Sequence, residues 1–285
     1  MNTSTKILLE HARREGYAVG AFNVYNLEGV RAVIGAAQAE RSPVMLQLHP
    51  AALHHGGAPV VALCLAAAEE ASVPVGVHLD HGATSEELRS ALSAGMKSVM
   101  ADGSSLPFPE NVAFTSKMAE EAHRASAWIE AELGRLSGTE DGITVMERDS
   151  KMTDPGQAQE FVSATGVDAL AVCIGNVHGP YPKEPSLDFD RLALIRDRVS
   201  VPLVLHGASN LPPEMVHVAI ELGIAKLNVN TEVRNAYVAS LRSALQSSTK
   251  PDLLHLMESA VEAMQTVVVE KLRMFGSSGH ALPAI

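Results

Sequence analysis

The residues best suited to metal and proton chemistry are histidines and carboxylates at the ends of short apolar runs. His81 and His206 end or directly follow two such runs, and His178 comes shortly after a third. Neutral imidazoles that converge from separate strands form catalytic zinc sites, which keep one coordination position open for substrate or water. The sequence therefore predicts a zinc ion held by His81, His178 and His206, although their spacing matches no standard zinc motif.

Three carboxylates lie close to these histidines in the chain. Asp80 directly precedes His81, so the alternation of side chains along a strand predicts that it points away from the metal. There it would shuttle a proton to or from a substrate oxygen, or orient a ligand through a hydrogen bond. We interpret Asp102 and Glu132 as acceptors for the outer N–H groups of the ligating histidines, as an alternative position for the metal, or as buried carboxylates paired with a cation.

Two segments rich in small and hydroxyl residues predict a phosphate site. His206-Gly207-Ala208-Ser209-Asn210 and Asn228-Val229-Asn230-Thr231-Glu232 each follow a short apolar run. Backbone N–H groups and the N-termini of the following helices can hold a dianion without a basic patch. This reconciles an acidic chain with an acidic ligand.

The elements that must position these residues repeat as short apolar runs followed by segments of helical period. The predicted strands are Ala18–Asn23, Val44–His49, Val75–Asp80, Ser98–Ala101, Ala127–Glu132, Ala169–Ile174, Leu203–His206 and Lys226–Asn228. This pattern predicts an α/β fold, a (β/α)8 TIM barrel, whose active-site groups lie at the C-terminal ends of the strands. We expect a single domain over residues 1–285, with a C-terminal helical extension at about 250–275.

Polar residues follow the predicted strands at the positions where a barrel carries its active site. They are Asn23, His49, Asp80, His81, Asp102, Glu132, His178, His206, Asn228 and Asn230. The connection from Leu133 to Gln157 is polar and Gly-punctuated, which we interpret as a lid or as a mobile surface loop. The segment from Gly175 to Pro182 is rich in turn formers, so His178 is predicted on a loop above the barrel mouth.

Composition excludes several classes of protein. The chain of 285 residues carries 22 basic and 33 acidic side chains, for a net charge of −11, which argues against a nucleic-acid or anionic-membrane partner. We find no apolar run near the roughly 18 residues of a membrane span, and the first residues lack the apolar region of a signal peptide. We therefore expect a cytoplasmic protein, with Cys64 and Cys173 as buried thiols.

Together the motifs resemble the class II, zinc-dependent fructose/tagatose-bisphosphate aldolase family. The resemblance runs from Tyr17 to about Gly279 through Gly20-Ala21-Phe22-Asn23, His78-Leu79-Asp80-His81-Gly82, Ser98-Val99-Met100-Ala101-Asp102-Gly103-Ser104, Glu130-Ala131-Glu132-Leu133-Gly134, Gly175-Asn176-Val177-His178-Gly179, Leu205-His206-Gly207-Ala208-Ser209 and Lys226-Leu227-Asn228-Val229-Asn230-Thr231. It implies reversible cleavage of a fructose- or tagatose-type ketose 1,6-bisphosphate into dihydroxyacetone phosphate and an aldehyde, glyceraldehyde 3-phosphate by default.

The resemblance also implies roles for individual residues. His81, His178 and His206 would hold one catalytic Zn²⁺ per chain, Asp80 would exchange the proton on the C4 oxygen, and Glu140, or a water that it orients, would reprotonate C3. Further catalytic and binding positions are Asn228 as a catalytic substrate contact, Asn23 and Asn230 as substrate contacts, and Gly179, Gly207, Ser209 and Thr231 at the phosphate. A monovalent cation and a homodimer or homotetramer belong to the same expectation.

The sequence departs from the family pattern in the half of the site that would hold the aldehyde. His49 stands where a small hydroxyl residue is usual, Ser105 where a histidine is usual, and Lys250-Pro251-Asp252 where the family has an Arg for the distal phosphate. Either Arg234, Lys183 or a neighbouring subunit supplies that cation, or His49 meets a sulfonate, a carboxylate or an unphosphorylated end.

Two other interpretations remain on sequence grounds. A phosphosugar-binding paralogue would keep the barrel without turnover, and a metal-dependent hydrolase would use water as its nucleophile. A lysine Schiff-base enzyme is disfavoured, because Lys97 and Lys226 do not top the sixth strand.

Overall fold

Buried, apolar strands form the wall of a closed parallel barrel in the computed structural model, which describes residues 1–140, 143–147, 150–179, 181, 183–247 and 252–281, without the side chains of Glu140 and Ile143. The barrel strands are β1 (Val19–Asn23), β2 (Val44–Leu48), β3 (Val75–Gly82), β4 (Ser98–Ala101), β5 (Trp128–Leu133), β8 (Ala169–Val172), β10 (Leu203–Leu205) and β11 (Ile224–Val229). Each strand pairs with its neighbour in chain order and β11 closes on β1, which confirms the predicted TIM barrel.

Helices surround the barrel and connect its strands. They are α1 (Thr5–Glu15), α2 (Leu27–Glu40), α3 (Pro50–Glu70), α4 (Ser85–Ser93), α5 (Phe108–Arg124), α6 (Pro155–Thr165), α7 (Phe189–Arg196), α8 (Pro213–Glu221), α9 (Thr231–Ser247) and α10 (Leu253–Met274). Local sequence sets their ends: Thr84 and Glu87 form a capping box at the start of α4, and Asp154 caps α6. Helix α10 packs against α2 and α9 and covers the outside of the barrel.

The inside of the barrel changes from apolar to polar along the strands. Leu8 and Leu9 of α1 pack with Val19, Met45 and Met100 in one cluster at the end where the strands begin. Higher up, the same alternating positions carry buried polar side chains, among them Gln47, His78, Asp80, Glu130, Lys226 and Asn228. The barrel therefore has an apolar floor and a polar mouth.

A small second sheet lies at the mouth, where the sequence predicts two loops. Strands β6 (Ser137–Glu140) and β7 (Ile143–Val145) form an antiparallel pair, and β6 also pairs in parallel with β9 (Val177–His178). The loop placement of His178 is therefore wrong, because backbone pairing with β6 holds this histidine on a short strand. Gly138 permits the pairing: its φ is 111°, and a Cβ there would collide with the carbonyl oxygen of His178.

The expectation that no apolar stretch reaches the length of a membrane span is wrong for helix α3. By length and composition it is sufficient to cross a membrane, with a mean hydropathy of 1.5 in an 18-residue window of which 33% is buried. The helix is kinked at Gly57, where φ is 57°, and contains Pro59. It packs against α2, β2 and β3, so it occupies the position of an outer barrel helix.

Candidate active site

The end of β3 places two consecutive polar side chains in the barrel mouth. His81 has a positive φ of 49°, and the pairing of β3 with β4 shifts register between Leu79 and Gly82. This bend breaks the alternation of the strand, so the Asp80 carboxylate lies 3.9 Å from His81 Nε2. The prediction that Asp80 points away from the histidines is therefore wrong.

Hydrogen bonds to carboxylates orient two of the three predicted zinc ligands. His81 Nδ1 lies 2.7 Å from Asp102 Oδ2, and His206 Nε2 lies 2.9 Å from Glu130 Oε1. Because a carboxylate accepts and does not donate, each of these nitrogens carries the hydrogen. A neutral His81 then presents a lone pair at Nε2, and a neutral His206 presents one at Nδ1.

These two nitrogens face each other at 2.8 Å. Two lone pairs at this distance repel each other unless a proton or a cation lies between them. Next to them, the buried Glu132 Oε2 has no hydrogen-bond partner among the described residues and lies 3.8 Å from His206 Nδ1. A divalent cation would satisfy all three atoms, so the donor set fits a metal such as zinc.

Two groups of side chains in the described part of the chain have ligand atoms within 4.8 Å of one another. One is Asp80, His81 and His206, and the other is His81, Asp102 and Glu132. His178 is in neither group, but its ring centroid lies 5.1 Å from that of His81 and 6.3 Å from that of His206. The structure thus brings the three histidines together, and the predicted triad of zinc ligands stays a prediction.

Three amides hold the Asp80 carboxylate in a fixed orientation. Asn23 Nδ2 donates to Oδ2 at 2.8 Å, while Gln47 Nε2 and Asn228 Nδ2 donate to Oδ1 at 3.2 and 3.1 Å. Burial opposes ionisation of Asp80, but the neighbouring His81 and His206, the charge of Lys226 and the Asn23 hydrogen bond outweigh it and hold its pKa below the usual range. Gln47 was missed by the sequence reasoning, although it stands two residues before His49 on the same strand.

The pKa values of the two carboxylates in the second group shift in opposite directions. Burial raises the pKa of Glu132 well above its usual value, and the neighbouring Asp102 raises it further. For Asp102, burial acts in the same upward direction, but the hydrogen bond and the charge of His81 dominate and lower its pKa. Asp102 thus contacts His81 as the sequence predicts. Whether this histidine binds metal stays a prediction, and Glu132 lies where it can reach a metal.

Below the candidate metal ligands lies a layer of buried charges that the sequence reasoning did not assign to the site. Lys226 Nζ donates to Glu130 Oε2 at 2.8 Å, and His78 Nδ1 lies 2.7 Å from Ser98 Oγ. Burial, reinforced by the charge of Lys226, lowers the pKa of His78 to about 3. The neutral His78 and the Lys226–Glu130 ion pair support His206 from beneath.

The predicted phosphate segments follow the neighbouring strands β10 and β11, across the mouth from β3 and β4. Gly207 follows β10 with a φ of 67°, and a Cβ there would meet the carbonyl oxygen of Val177, so this loop packs against β9 just before Gly179. Ser209 and Thr231 are buried, and Thr231 begins helix α9. Tyr25 donates from its hydroxyl to Asn230 Oδ1 at 2.9 Å.

A cavity of about 150 Å³ opens beside His81 and His178 on the side of strands β2 to β5. Its lining includes His49, Ser104, Ser105 and Arg135. His49 is buried, and its Nδ1 accepts from the backbone N–H of Ala51 at the start of α3. His49 therefore faces the mouth, and Arg135 is a cation there that the sequence reasoning did not consider.

The remaining predicted groups lie elsewhere. Lys183 lines a separate cavity of about 430 Å³ beyond the β6–β7 hairpin. The Glu140 side chain and Lys250-Pro251 lie outside the described part of the structure, although the Glu140 backbone ends β6.

Comparison with known proteins agrees with this site and fold. The sequence profile of the family described as "Fructose-bisphosphate aldolase class-II" matches residues 3–280. The chain belongs to the class II fructose-bisphosphate aldolase family. Members of this family are aldehyde-lyases that use a divalent metal, and the buried His/Asp cluster can bind one.

Solved structures described as aldolases superpose over nearly the whole chain. The YdjI aldolase of Escherichia coli K12 is 36% identical with a TM-score of 0.89, covering 99% of this chain and 100% of its own. A Coccidioides immitis protein assigned as a fructose-1,6-bisphosphate aldolase is 37% identical with a TM-score of 0.92, covering 97% of each chain. The fructose-bisphosphate aldolase of Campylobacter jejuni, at 22% identity and a TM-score of 0.79 over 97% of this chain and 96% of its own, shows the fold alone.

Proposed function

We propose that this chain cleaves a ketose 1-phosphate reversibly into dihydroxyacetone phosphate and an aldehyde, with a ketose 1,6-bisphosphate of the fructose or tagatose type as its default substrate. The observation that carries the proposal is the position of the Asp80 carboxylate. Three amide groups donate hydrogen bonds to it, and its Oδ1 lies 3.9 Å from His81 Nε2, the nitrogen that faces His206. A proton acceptor beside two histidines that can bind a metal supports the proposal, because cleavage of a β-hydroxy ketone requires both groups.

The metal would be one Zn²⁺ per chain, held by His81, His178 and His206, with Glu132 as an alternative ligand. When bound, zinc acts as a Lewis acid that stabilises negative charge developing on the ketone oxygen. Asp102 and Glu130 keep the His81 and His206 rings in the orientation that presents their lone pairs to this position. A monovalent cation would complete the site.

Asp80 would take the proton of the C4 hydroxyl as the C3–C4 bond breaks. Its three amide donors fix both oxygens, so the carboxylate needs no reorientation at the moment of transfer. Asn228 donates to Asp80, and we assign it a direct contact with substrate as well, together with Asn23. Glu140, at the end of β6, would return a proton to C3, and the hairpin that carries it would exclude water.

The phosphate of dihydroxyacetone phosphate would lie against the loops that follow β10 and β11. Gly179 and Gly207 allow close approach of the backbone, Ser209 and Thr231 supply hydroxyls, and the N-terminus of α9 favours negative charge. Asn230, oriented by Tyr25, would contact the substrate beside it. This arrangement explains how a chain with a net charge of −11 can bind an acidic sugar without a basic surface.

For the whole protein we propose a cytoplasmic homodimer or homotetramer whose partner is a phosphorylated sugar, without nucleic-acid or membrane partners. The alternative substrate is a ketose 1-phosphate with a sulfonate, a carboxylate or no charge at its far end. The specific observation in its favour is that His49 lines the cavity where a distal group would lie. A phosphosugar-binding paralogue without turnover is the second alternative.

The test is release of dihydroxyacetone phosphate from fructose and tagatose 1,6-bisphosphates and from ketose 1-phosphates with other ends. We expect the zinc-loaded protein to cleave at least one of them, and the chelated protein to cleave none. An exposed-site variant, Asp197→Asn, provides a control that should match the parent, since Asp197 pairs with Arg196 on the surface. Absence of cleavage of every substrate by protein with bound zinc would favour the non-catalytic paralogue.

A further inference from the structure

The half-buried side chain of Arg135 lines a cavity at the barrel mouth, and the fold gives this side chain no partner among the described residues. Arg135 follows β5 and lines the cavity that contains His81 and His178. The residue is half-buried, and in the described part of the chain its guanidinium makes no hydrogen bond and no ion pair. A half-buried guanidinium with five donors normally finds a carboxylate or phosphate partner.

The fold uses the backbone of Arg135 rather than its side chain. Arg135 N donates to the carbonyl oxygen of Lys151 at 2.7 Å, and Lys151 N donates back at 2.9 Å. The Cys173 thiol also donates to the Arg135 carbonyl oxygen at 3.6 Å. These contacts hold the position of the residue whatever its side chain, so the guanidinium is left for another partner.

The cavity lies across the barrel from the proposed phosphate loops. Those loops follow β10 and β11, whereas His49, Ser104, Ser105 and Arg135 follow β2, β4 and β5. In the closed order of eight strands, β3 and β4 stand opposite β10 and β11. Consider an open-chain sugar whose C1 phosphate lies at the phosphate loops and whose ketone lies at the candidate metal ligands in the centre. The far end of such a sugar would reach this cavity.

The charges of the cavity favour an anion at that end. Of the carboxylates that line it, Asp102 already pairs with His81, and Glu132 lies 3.8 Å from His206 Nδ1, on the side of the candidate metal ligands. Arg135 is the one lysine or arginine among these lining residues. The two serine hydroxyls next to it add neutral donors of the kind that surround carboxylate and phosphate oxygens.

We propose that Arg135, with Ser104 and Ser105, binds an oxyanion at the far end of the acceptor half of the substrate. This inference rests on the proposed function and narrows its substrate class to ketose 1-phosphates that end in an acidic group, either phosphate or carboxylate. Arg135 would supply the guanidinium that the family has where this chain reads Lys250-Pro251-Asp252, and it would do so from the end of β5 instead of from the region before the last helix.

The experiment measures aldol synthesis from dihydroxyacetone phosphate by the zinc-loaded enzyme with two matched pairs of aldehydes. Glyceraldehyde 3-phosphate is compared with glyceraldehyde, and succinic semialdehyde with butanal, so that each pair differs in its terminal charge. We expect Arg135→Gln to lower kcat/KM for one or both acidic aldehydes by about 10–100-fold, since a charge-assisted hydrogen bond is lost. The neutral aldehydes should change less than about twofold, and Arg135→Lys should restore part of the loss.

Arg89→Gln is the control variant, because Arg89 pairs with Glu121 on the surface and lies in none of the cavities described above. An equal loss for acidic and neutral aldehydes, or no loss for either acidic aldehyde, overturns the role of Arg135. Which acidic aldehyde responds tells phosphate from carboxylate. If the unaltered zinc-loaded enzyme joins none of the four aldehydes, the proposed function fails, and this inference fails with it.

Discussion

At the scale of single residues, the site depends on which nitrogen of each histidine carries the hydrogen. Asp102 and Glu130 fix this for His81 and His206 and leave two lone pairs 2.8 Å apart. Hydrogen-bond acceptors behind metal-ligating histidines raise ligand basicity and fix ring orientation. A cation bound between the two rings would therefore stabilise their close approach.

We therefore expect Asp102→Asn and Glu130→Gln each to weaken zinc binding by about 10–100-fold, because the acceptor behind the ligand is lost. Zinc affinity is measured by competition with a chromophoric chelator. Asp168→Asn is the matched control, since Asp168 contacts His123 and the Ile129 backbone away from the mouth. Unchanged zinc affinity in both site variants would show that these contacts do not orient metal ligands.

Asp80 supports a second prediction at this scale. Asp80→Asn keeps the volume of the side chain but removes the proton acceptor for the C4 hydroxyl, so cleavage should fall by about 10²–10⁴-fold. Exchange of the C3 hydrogen of dihydroxyacetone phosphate should persist, because that step does not involve the C4 oxygen. Both rates are followed by proton NMR in D₂O, and equal loss of both would contradict the assigned role.

Much of the site at this scale was predictable, because His81, His206, Asp80, Asn23 and Asn228 end strands. Gln47, Glu130 and Lys226 were not identified, although each stands two residues before a strand-end polar group and so points the same way. The direction of Asp80 was not predictable, since it follows from a positive φ at a histidine, a conformation that residues other than glycine rarely adopt.

At the scale of elements, the β6–β7 hairpin and β9 determine where His178 and Glu140 lie. The eight barrel strands were predicted from their apolar runs, and the predicted ends differ from the observed ends by at most two residues. The small sheet was not predicted, because β6 is a short polar segment with one glycine and β9 has only two residues, and their strand conformation depends on pairing within this sheet.

Gly138 tests the importance of this pairing. In Gly138→Ala, the new Cβ would collide with the His178 carbonyl oxygen, so we expect β9 to shift and kcat/KM to fall by at least about tenfold, equivalent to about 1.4 kcal/mol. Gly166→Ala is a matched control, because Gly166 also has a positive φ, of 66°, but a Cβ there would meet nothing within 4 Å. Equal kinetic effects of the two variants would argue that the sheet does not position the site.

At the scale of the whole molecule, the barrel combines an apolar floor with a polar interior under the site. Glu130 is fully buried. Burial alone would raise the pKa of its carboxyl group, but the charge of Lys226 and the His206 hydrogen bond lower this pKa below its usual value. Such an ion pair adds little stability over an apolar pair, but removal of one member leaves an uncompensated charge inside the protein.

Lys226→Met should therefore lower the free energy of unfolding by about 3–5 kcal/mol, because it leaves the Glu130 carboxylate buried without its cation. The double variant Lys226→Met, Glu130→Gln should recover part of this loss, since the buried charge is then also removed. Urea unfolding of the metal-free proteins measures both values. A single variant as stable as the parent would mean that the pair does not compensate charge in the barrel interior.

The most direct test of the whole account is hydrogen exchange at C3 of dihydroxyacetone phosphate in D₂O, without any aldehyde. It requires the metal cluster, the phosphate loops and a C3 proton donor to act together, and it does not depend on the far end of the substrate. The account predicts exchange by the zinc-loaded protein, loss of exchange on chelation and recovery when zinc is returned. Absence of exchange while zinc is demonstrably bound would contradict the assignment of this barrel mouth as an aldolase site.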